Sequence, residues 1–249
     1  MTPFAGQLVD LSVPLGPSPS EHVPVVVDRF THADGGAHLA ELTGIRRDDL
    51  HAGLGWASER VAAITHAGTH VDAPFHYAPS TAGLRSRTID ELPLRWFLGR
   101  GVCIDVGEGA EPVTVAEVEA FDRTRGFAIA EGDIVLFRTG AAYGGGDYNE
   151  RGRGLAPELV AHLCARGVRV VGTDAWSIDF PFATMSRRGA PHVWEAHFAG
   201  REHEFCAIEK LTNLDRLPPS GFFVICLPVK VAGGSAGWTR AVALLPEFG

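Results

Sequence analysis

The chain has 249 residues, 45% of them hydrophobic and 21% charged, which suits a sizeable buried core and not a disordered chain. Its 22 basic and 30 acidic residues give a net charge of -8, which argues against a general nucleic-acid-binding surface. Four cysteines without a CxxC pair, and no apolar run near the ~20 residues of a membrane span, argue against a disulfide framework, a thiolate zinc site and a membrane protein.

In chain order, strands are predicted where Val, Ile and Phe gather between Gly or Pro residues, at 8–13, 25–27, 102–106, 133–138, 168–171 and 222–231. Thr114 and Glu117 have capping-box spacing ahead of Val118, Ala120 and Phe121, which predicts a helix start. Leu155, Leu159, Val160 and Leu163 follow helical spacing, and Gly167 supplies a stop. With the strand at 133–138 before this helix and the strand at 168–171 after it, the segment reads as a β-α-β unit. The Gly-rich, charged stretch 141–154 reads as a loop. No repeat, low-complexity tract or charge block marks a boundary, so residues 1–249 read as one domain of the α/β class. Residues 1–16 lack a basic n-region and contain Asp10, so no secretory leader is expected and the expected location is cytoplasmic.

Three of the 11 histidines fall within eleven residues, His66-Ala-Gly-Thr-His70-Val-Asp72-Ala-Pro-Phe-His76. On a helix, His66 and His70 would share a face, but Gly68, Thr69, Val71 and Pro74 disfavour a helix here. An extended stretch after a turn at Gly68 projects His70, Asp72 and His76 to one side, and the turn brings His66 back toward them. Imidazoles and a carboxylate packed this closely suit Zn²⁺ or Mn²⁺.

The same run resembles the HxGTHxDxPxH signature of the metal-dependent cyclase-like hydrolases, a family that includes bacterial kynurenine formamidase and isatin hydrolase. Leu8-Val-Asp-Leu-Ser12 is similar to the family's opening strand, and residues 132–140 to its central GD…RTG strand. Residues 172–179 are similar to a GxDxxSxD turn, and Glu209-Lys-Leu-Thr-Asn-Leu-Asp215 to a late ExLxNLD segment. The resemblance implies the swivelling β/β/α fold, a mixed sheet with flanking helices, and a homodimer or homotetramer. It implies that His66, His70 and Asp72 hold a divalent metal, Zn or Mn, with His76 beside it as the catalytic acid/base. It also implies a second ion, bridged by Asp72 and held by His197 and Glu209, which have the family's spacing of twelve residues. One or two ions per chain are therefore expected. His192 and His203 flank His197 as competing candidates, and the family's leucine-rich stretch after that histidine is replaced by Phe198-Ala-Gly-Arg-Glu-His-Glu204.

The implied activity is hydrolysis of a C–N bond in an amide, lactam or N-formyl compound. A divalent ion brings the pKa of water toward neutrality and stabilises an oxyanion, and a histidine protonates the leaving group. A cyclase, lactonase or dehydratase would use the same residues. A metal-binding or ligand-sensing protein is the non-enzymatic alternative, disfavoured because every signature position is filled. The expected partner is a small-molecule substrate, with no nucleic acid and no membrane. Arg138 and Thr139 read as substrate contacts or structural residues, and Asp174 and Asp179 as orienters of the ligating histidines or plain turn residues. Trp56, Phe75, Trp176 and Trp194 read as pocket lining or as packing.

Overall fold

The structure is a computed structural model that describes residues 6–246. Residues 1–5 of the segment read above as free of a leader lie outside the described residues. The chain begins with β1 (Gly6–Asp10), β2 (Val26–Phe30), α1 (His32–Thr43), β3 (Ser58–Ala62), β4 (His70–Asp72) and α2 (Pro74–Tyr77). A small hairpin, β5 (Ser80–Thr81) and β6 (Leu84–Arg85), precedes β7 (Leu98–Asp105), α3 (Val115–Arg125) and β8 (Ile134–Arg138). Then come α4 (Pro157–Ala165), β9 (Val170–Thr173), α5 (Phe182–Arg188), α6 (Glu195–Phe198) and β10 (Cys206–Glu209). Strands β11 (Phe222–Ile225), β12 (Ala236–Trp238) and β13 (Val242–Pro246) complete it.

Nine strands form one mixed sheet in the order β1-β13-β11-β7-β8-β9-β10-β4-β12. The central strands β7, β8, β9 and β10 run parallel, and the flanking ones antiparallel. The parallel strands are apolar on both faces because both faces are covered. Ile134 and Leu136 of β8 enter one core with Val71 and Ile208, while Val135 and Phe137 enter the other with Leu159, Val160 and Leu163 of α4. Strands β8 and β9 are parallel neighbours joined through α4, so the β-α-β unit read from the sequence is present. The capping box of Thr114 and Glu117 starts α3, and Gly167, at φ +86°, follows α4. Among the described residues no helix is long and apolar enough to cross a membrane.

Three expectations change. The strand expected at 222–231 ends at Ile225, before Pro228, which has no amide to give to a ladder. Residues 26–62 form a separate antiparallel pair, β2 with β3, around α1, where only a strand at 25–27 was expected. The stretch from His70 is extended only to Asp72. Pro74 at the first helical position then starts α2, so His76 comes from a helical turn and not from an alternating strand.

The register of β4 places the histidine motif. It lies between β10 and β12, with His70 opposite Glu209 and Asp72 opposite both Ala207 and Ala236. Val71 and Ile208 point into the first core, so His70, Asp72 and Glu209 project from the other face. Glu209 ends β10 beside the carboxyl end of β9, where open α/β sheets bind ligands.

Leu136 is fully buried on the face away from this site. We expect Leu136→Ala to cost about 2–5 kcal/mol in urea unfolding, with metal content per folded molecule unchanged. Loss of metal in proportion to stability would contradict this separation of core and site.

Candidate metal centre

Five elements supply the side chains. His66 comes from the turn before β4, a turn that Gly68 makes possible by taking φ +58°. His70 and Asp72 come from β4, His76 from α2, His197 from α6 and Glu209 from the end of β10. Asp72 Oδ1 lies 2.8 Å from His66 Nδ1 and 3.3 Å from His70 Nε2, and its Oδ2 lies 3.7 Å from His197 Nε2. Glu209 spans the same two sides, with Oε2 3.7 Å from His70 Nε2 and Oε1 3.5 Å from His197 Nε2. The structure therefore brings together all six residues singled out by the motif and its implied partners. His192 is taken instead by Glu195, at 3.0 Å, and His203, unlike His197, does not line the cavity at this cluster.

The donor atoms fit a cation. His70 Nδ1 lies 2.9 Å from the Gly68 carbonyl oxygen, which can only accept, so the proton sits on Nδ1 and Nε2 presents a lone pair. That nitrogen and both oxygens of Asp72 are buried without a hydrogen-bond partner. Lone pairs so close together, and out of reach of water, repel each other unless positive charge lies between them. Ligand-capable atoms of His70, Asp72 and Glu209 lie within 4.8 Å of one another, as do those of His66, Asp72 and His76.

The surroundings set the charges. Burial and the charge of Asp72 raise the pKa of Glu209. Burial works against the charge of Asp72, but the imidazoles that surround it hold its carboxyl well below the usual carboxylate range. Burial works against the charged form of His197, but its hydrogen bond to Asp179 and the nearness of Asp72 and Glu209 overcome it and push the pKa up to about 10. A cation there must displace a proton. Burial drives His76 the other way, to about 4, with the pull of Asp72 only a partial offset.

Asp179 orients His197. Its Oδ2 accepts from His197 Nδ1–H at 2.5 Å, and its oxygens also accept the amides of Ala196 and His197. The bond leaves His197 Nε2 facing Asp72 and Glu209. Asp174 does not share this role. It takes the Thr139 amide and hydroxyl and the Gly140 amide, fixing the loop after β8. Arg138 pairs with Asp105 at 2.5 Å and makes no contact with the histidines. Trp176 and Trp194 line a cavity of about 190 Å³ with His66, His76, His197 and Glu209. Trp56 and Phe75 are exposed and outside it. Glu21 and Lys210, which also line the cavity, had no motif to mark them. The one available signal was a lysine set in the apolar run Phe205-Cys-Ala-Ile-Glu-Lys-Leu211.

The family model described as "Putative cyclase" matches residues 9–180 of this chain. The kynurenine formamidase of Erythrobacter litoralis is 31% identical over 192 residues, covering 76% of this chain and 78% of that protein. That of Salinibacter ruber is 31% identical over 198 residues, covering 79% and 83%. A crystal structure of an isatin hydrolase bound to the product analogue thioisatinate superposes with a TM-score of 0.76, covering 97% of this chain and 93% of that one at 21% identity. Isatin hydrolase A from Ralstonia solanacearum gives 0.76 over 96% and 92%, at 25% identity. These structures share the mixed sheet with flanking helices.

Asp179→Asn keeps the size of the side chain and removes the charge that orients His197. We expect metal affinity to fall by the 10–100-fold typical of a lost partner to a ligating histidine, measured by competition with a chromophoric chelator. Unchanged affinity would show that Asp179 only shapes its turn.

Proposed function

Because the chain belongs to the cyclase family and is a metal-dependent amide hydrolase within it, we propose that it hydrolyses the C–N bond of an aryl formamide or aryl lactam. The observation that carries this reading is the set of bare ligand atoms on His70 and Asp72, beside a small cavity walled by Trp176 and Trp194. A dry cavity of about 150 Å³ holds a benzene ring, so about 190 Å³ suits one aromatic ring with a small substituent.

In this reading His66, His70 and Asp72 hold one Zn²⁺ or Mn²⁺ ion, and Asp72, His197 and Glu209 hold a second. A bound ion polarises the scissile carbonyl and acidifies water. The chain's own residues do the rest. Burial keeps His76 neutral at pH 7, so its free ring nitrogen accepts a proton from the attacking water and returns it to the leaving nitrogen. Trp194 stacks on His197, with centroids 4.8 Å apart, and lies 5.5 Å from the His76 ring. It thereby shields both imidazoles and offers a face to an aryl group. The reading includes a cytoplasmic homodimer or homotetramer. Exposed Val26, Phe30, Leu42, Leu54, Trp56 and Val61 on the β2–α1–β3 excursion support an assembled state.

The test is a screen of N-formylkynurenine, isatin and simple lactones with metal-loaded and chelated protein. We expect turnover of an aryl amide that chelation abolishes and Zn²⁺ or Mn²⁺ restores. Full activity in rigorously metal-free protein would overturn the metal reading, and turnover of lactones alone would move the chemistry to C–O bonds.

His76→Ala is expected to retain its metal while losing about 10²–10⁴-fold in turnover. Because His76 works in its neutral form, the wild-type rate should fall as pH drops toward about 4, and the variant should lack that limb. Metal content falling in parallel with rate would make His76 a ligand.

A further inference from the structure

We propose that the buried pair Lys210–Glu21 is a positioning device that sets the first metal position, an inference that rests on the metal centre described above. The pair holds the turn carrying His66 at both ends. The Lys210 ammonium donates to Glu21 Oε2 at 2.6 Å and to the His66 carbonyl oxygen at 2.8 Å. The other oxygen of Glu21 accepts the Gly68 amide at 2.8 Å and the Tyr143 hydroxyl at 2.9 Å. The Lys210 carbonyl accepts the Thr69 hydroxyl at 2.7 Å. Residues 66 and 69 are thus tied directly, and residue 68 through Glu21, to a lysine that directly follows Glu209 in the chain. His66 and Glu209, which approach Asp72 from different parts of the sequence, are placed relative to each other by one ion pair.

Stability does not account for this arrangement. The two side chains are 4% and 2% exposed, and a buried ion pair gives up two hydration shells. Apolar groups of similar volume in its place are often neutral or stabilising. Lys210 also sits at φ +59°, in the left-handed region that disfavours residues with a side chain. Both costs bring the ammonium to the one place where it reaches the His66 carbonyl and Glu21 together. Tyr143, from the loop after β8, and Glu21, from the segment before β2, extend the grip to two further parts of the chain.

The test uses the full chain, metal-free and titrated with Co²⁺, with binding read from the d–d absorption spectrum. The double variant Glu21→Gln/Lys210→Met removes both charges at nearly constant volume. We expect its metal-free thermal midpoint to equal or exceed that of wild type, while its Co²⁺ affinity falls 10–100-fold and the spectrum changes shape. Lys210→Arg keeps the charge and the donors and should recover part of the affinity. Arg240→Met, which breaks the exposed pair with Asp10, should leave affinity and spectrum as in wild type. Wild-type affinity and spectrum in the double variant would overturn the proposal. So would a metal-free stability that falls in step with affinity, since the pair would then be only structural. Wild-type protein that fails to bind Co²⁺ would instead refute the metal centre itself.

Discussion

Two buried carboxylates, Asp72 and Glu209, face the same imidazole nitrogens, and the surrounding structure exists to hold that concentration of negative charge in place. Neither carboxylate has a lysine or arginine against it. Asp72 is fully buried, and neither of its oxygens has a hydrogen-bond partner. A bare buried carboxylate is among the costliest groups a protein can contain, and here Asp72 lies on the strand next to a second buried carboxylate, Glu209. The partners that surround them orient rather than neutralise. Asp179 turns His197, the Gly68 carbonyl turns His70, and the Ile178 amide holds one oxygen of Glu209 at 2.9 Å. Such a site is built for cations and is incomplete as a proton store.

The sheet makes the site possible by two separate means. Parallel pairing in the centre buries both faces, which gives a rigid frame and frees the carboxyl ends of β9 and β10 for ligands. The antiparallel insertion of β4 beside β10 then brings His70 directly opposite Glu209 without any loop. Cross-strand neighbours of this kind hold their Cβ atoms about 4.5–5.5 Å apart. The pairing therefore presets one histidine and one carboxylate, and the small Ala207 and Ala236 opposite Asp72 leave room for its side chain. His66, His76 and His197 come from turns and short helices, and their placement needs the added hydrogen bonds.

The pattern of legibility follows the same division. The central strands and α4 were readable because apolar periodicity is local, and α3 because its capping box is local. The cluster at 66–76 was readable because four reactive side chains fall within eleven residues. Of the excursion at 26–62, only the start of β2 was. Its strands have little buried surface, β3 carries only Val61 among β-forming residues, and α1 buries only Gly35 and Gly36. A Cβ on Gly35 would stand 1.9 Å from the Trp56 carbonyl oxygen, so the contact depends on an absent side chain and leaves no apolar stripe to read. His76 was assigned the right neighbourhood for the wrong local reason, since alternation stops where Pro74 begins a helix. Glu21 illustrates the limit. It meets Gly68, Tyr143 and Lys210 across separations of 47, 122 and 189 residues, and nothing in its own surroundings announces any of them.

Backbone strain points to the same place. Five non-glycine residues among those described have positive φ, and two of them, Trp194 and Lys210, line the cavity. Such conformations cost on the order of 1–3 kcal/mol each and persist where the surroundings over-determine them. Trp194 is over-determined by the stack of its ring on His197 and by its amide, which points at the Met185 sulfur at 3.3 Å. Lys210 is held through its amide, its carbonyl and its ammonium at once. In both cases the strained residue adjoins a metal-facing element: Trp194 precedes the helical turn of His197, and Lys210 follows Glu209. The strain therefore falls where the chain turns a side chain toward the carboxylates and must do so without slack, because a fraction of an ångström decides whether imidazole and carboxylate can share a cation.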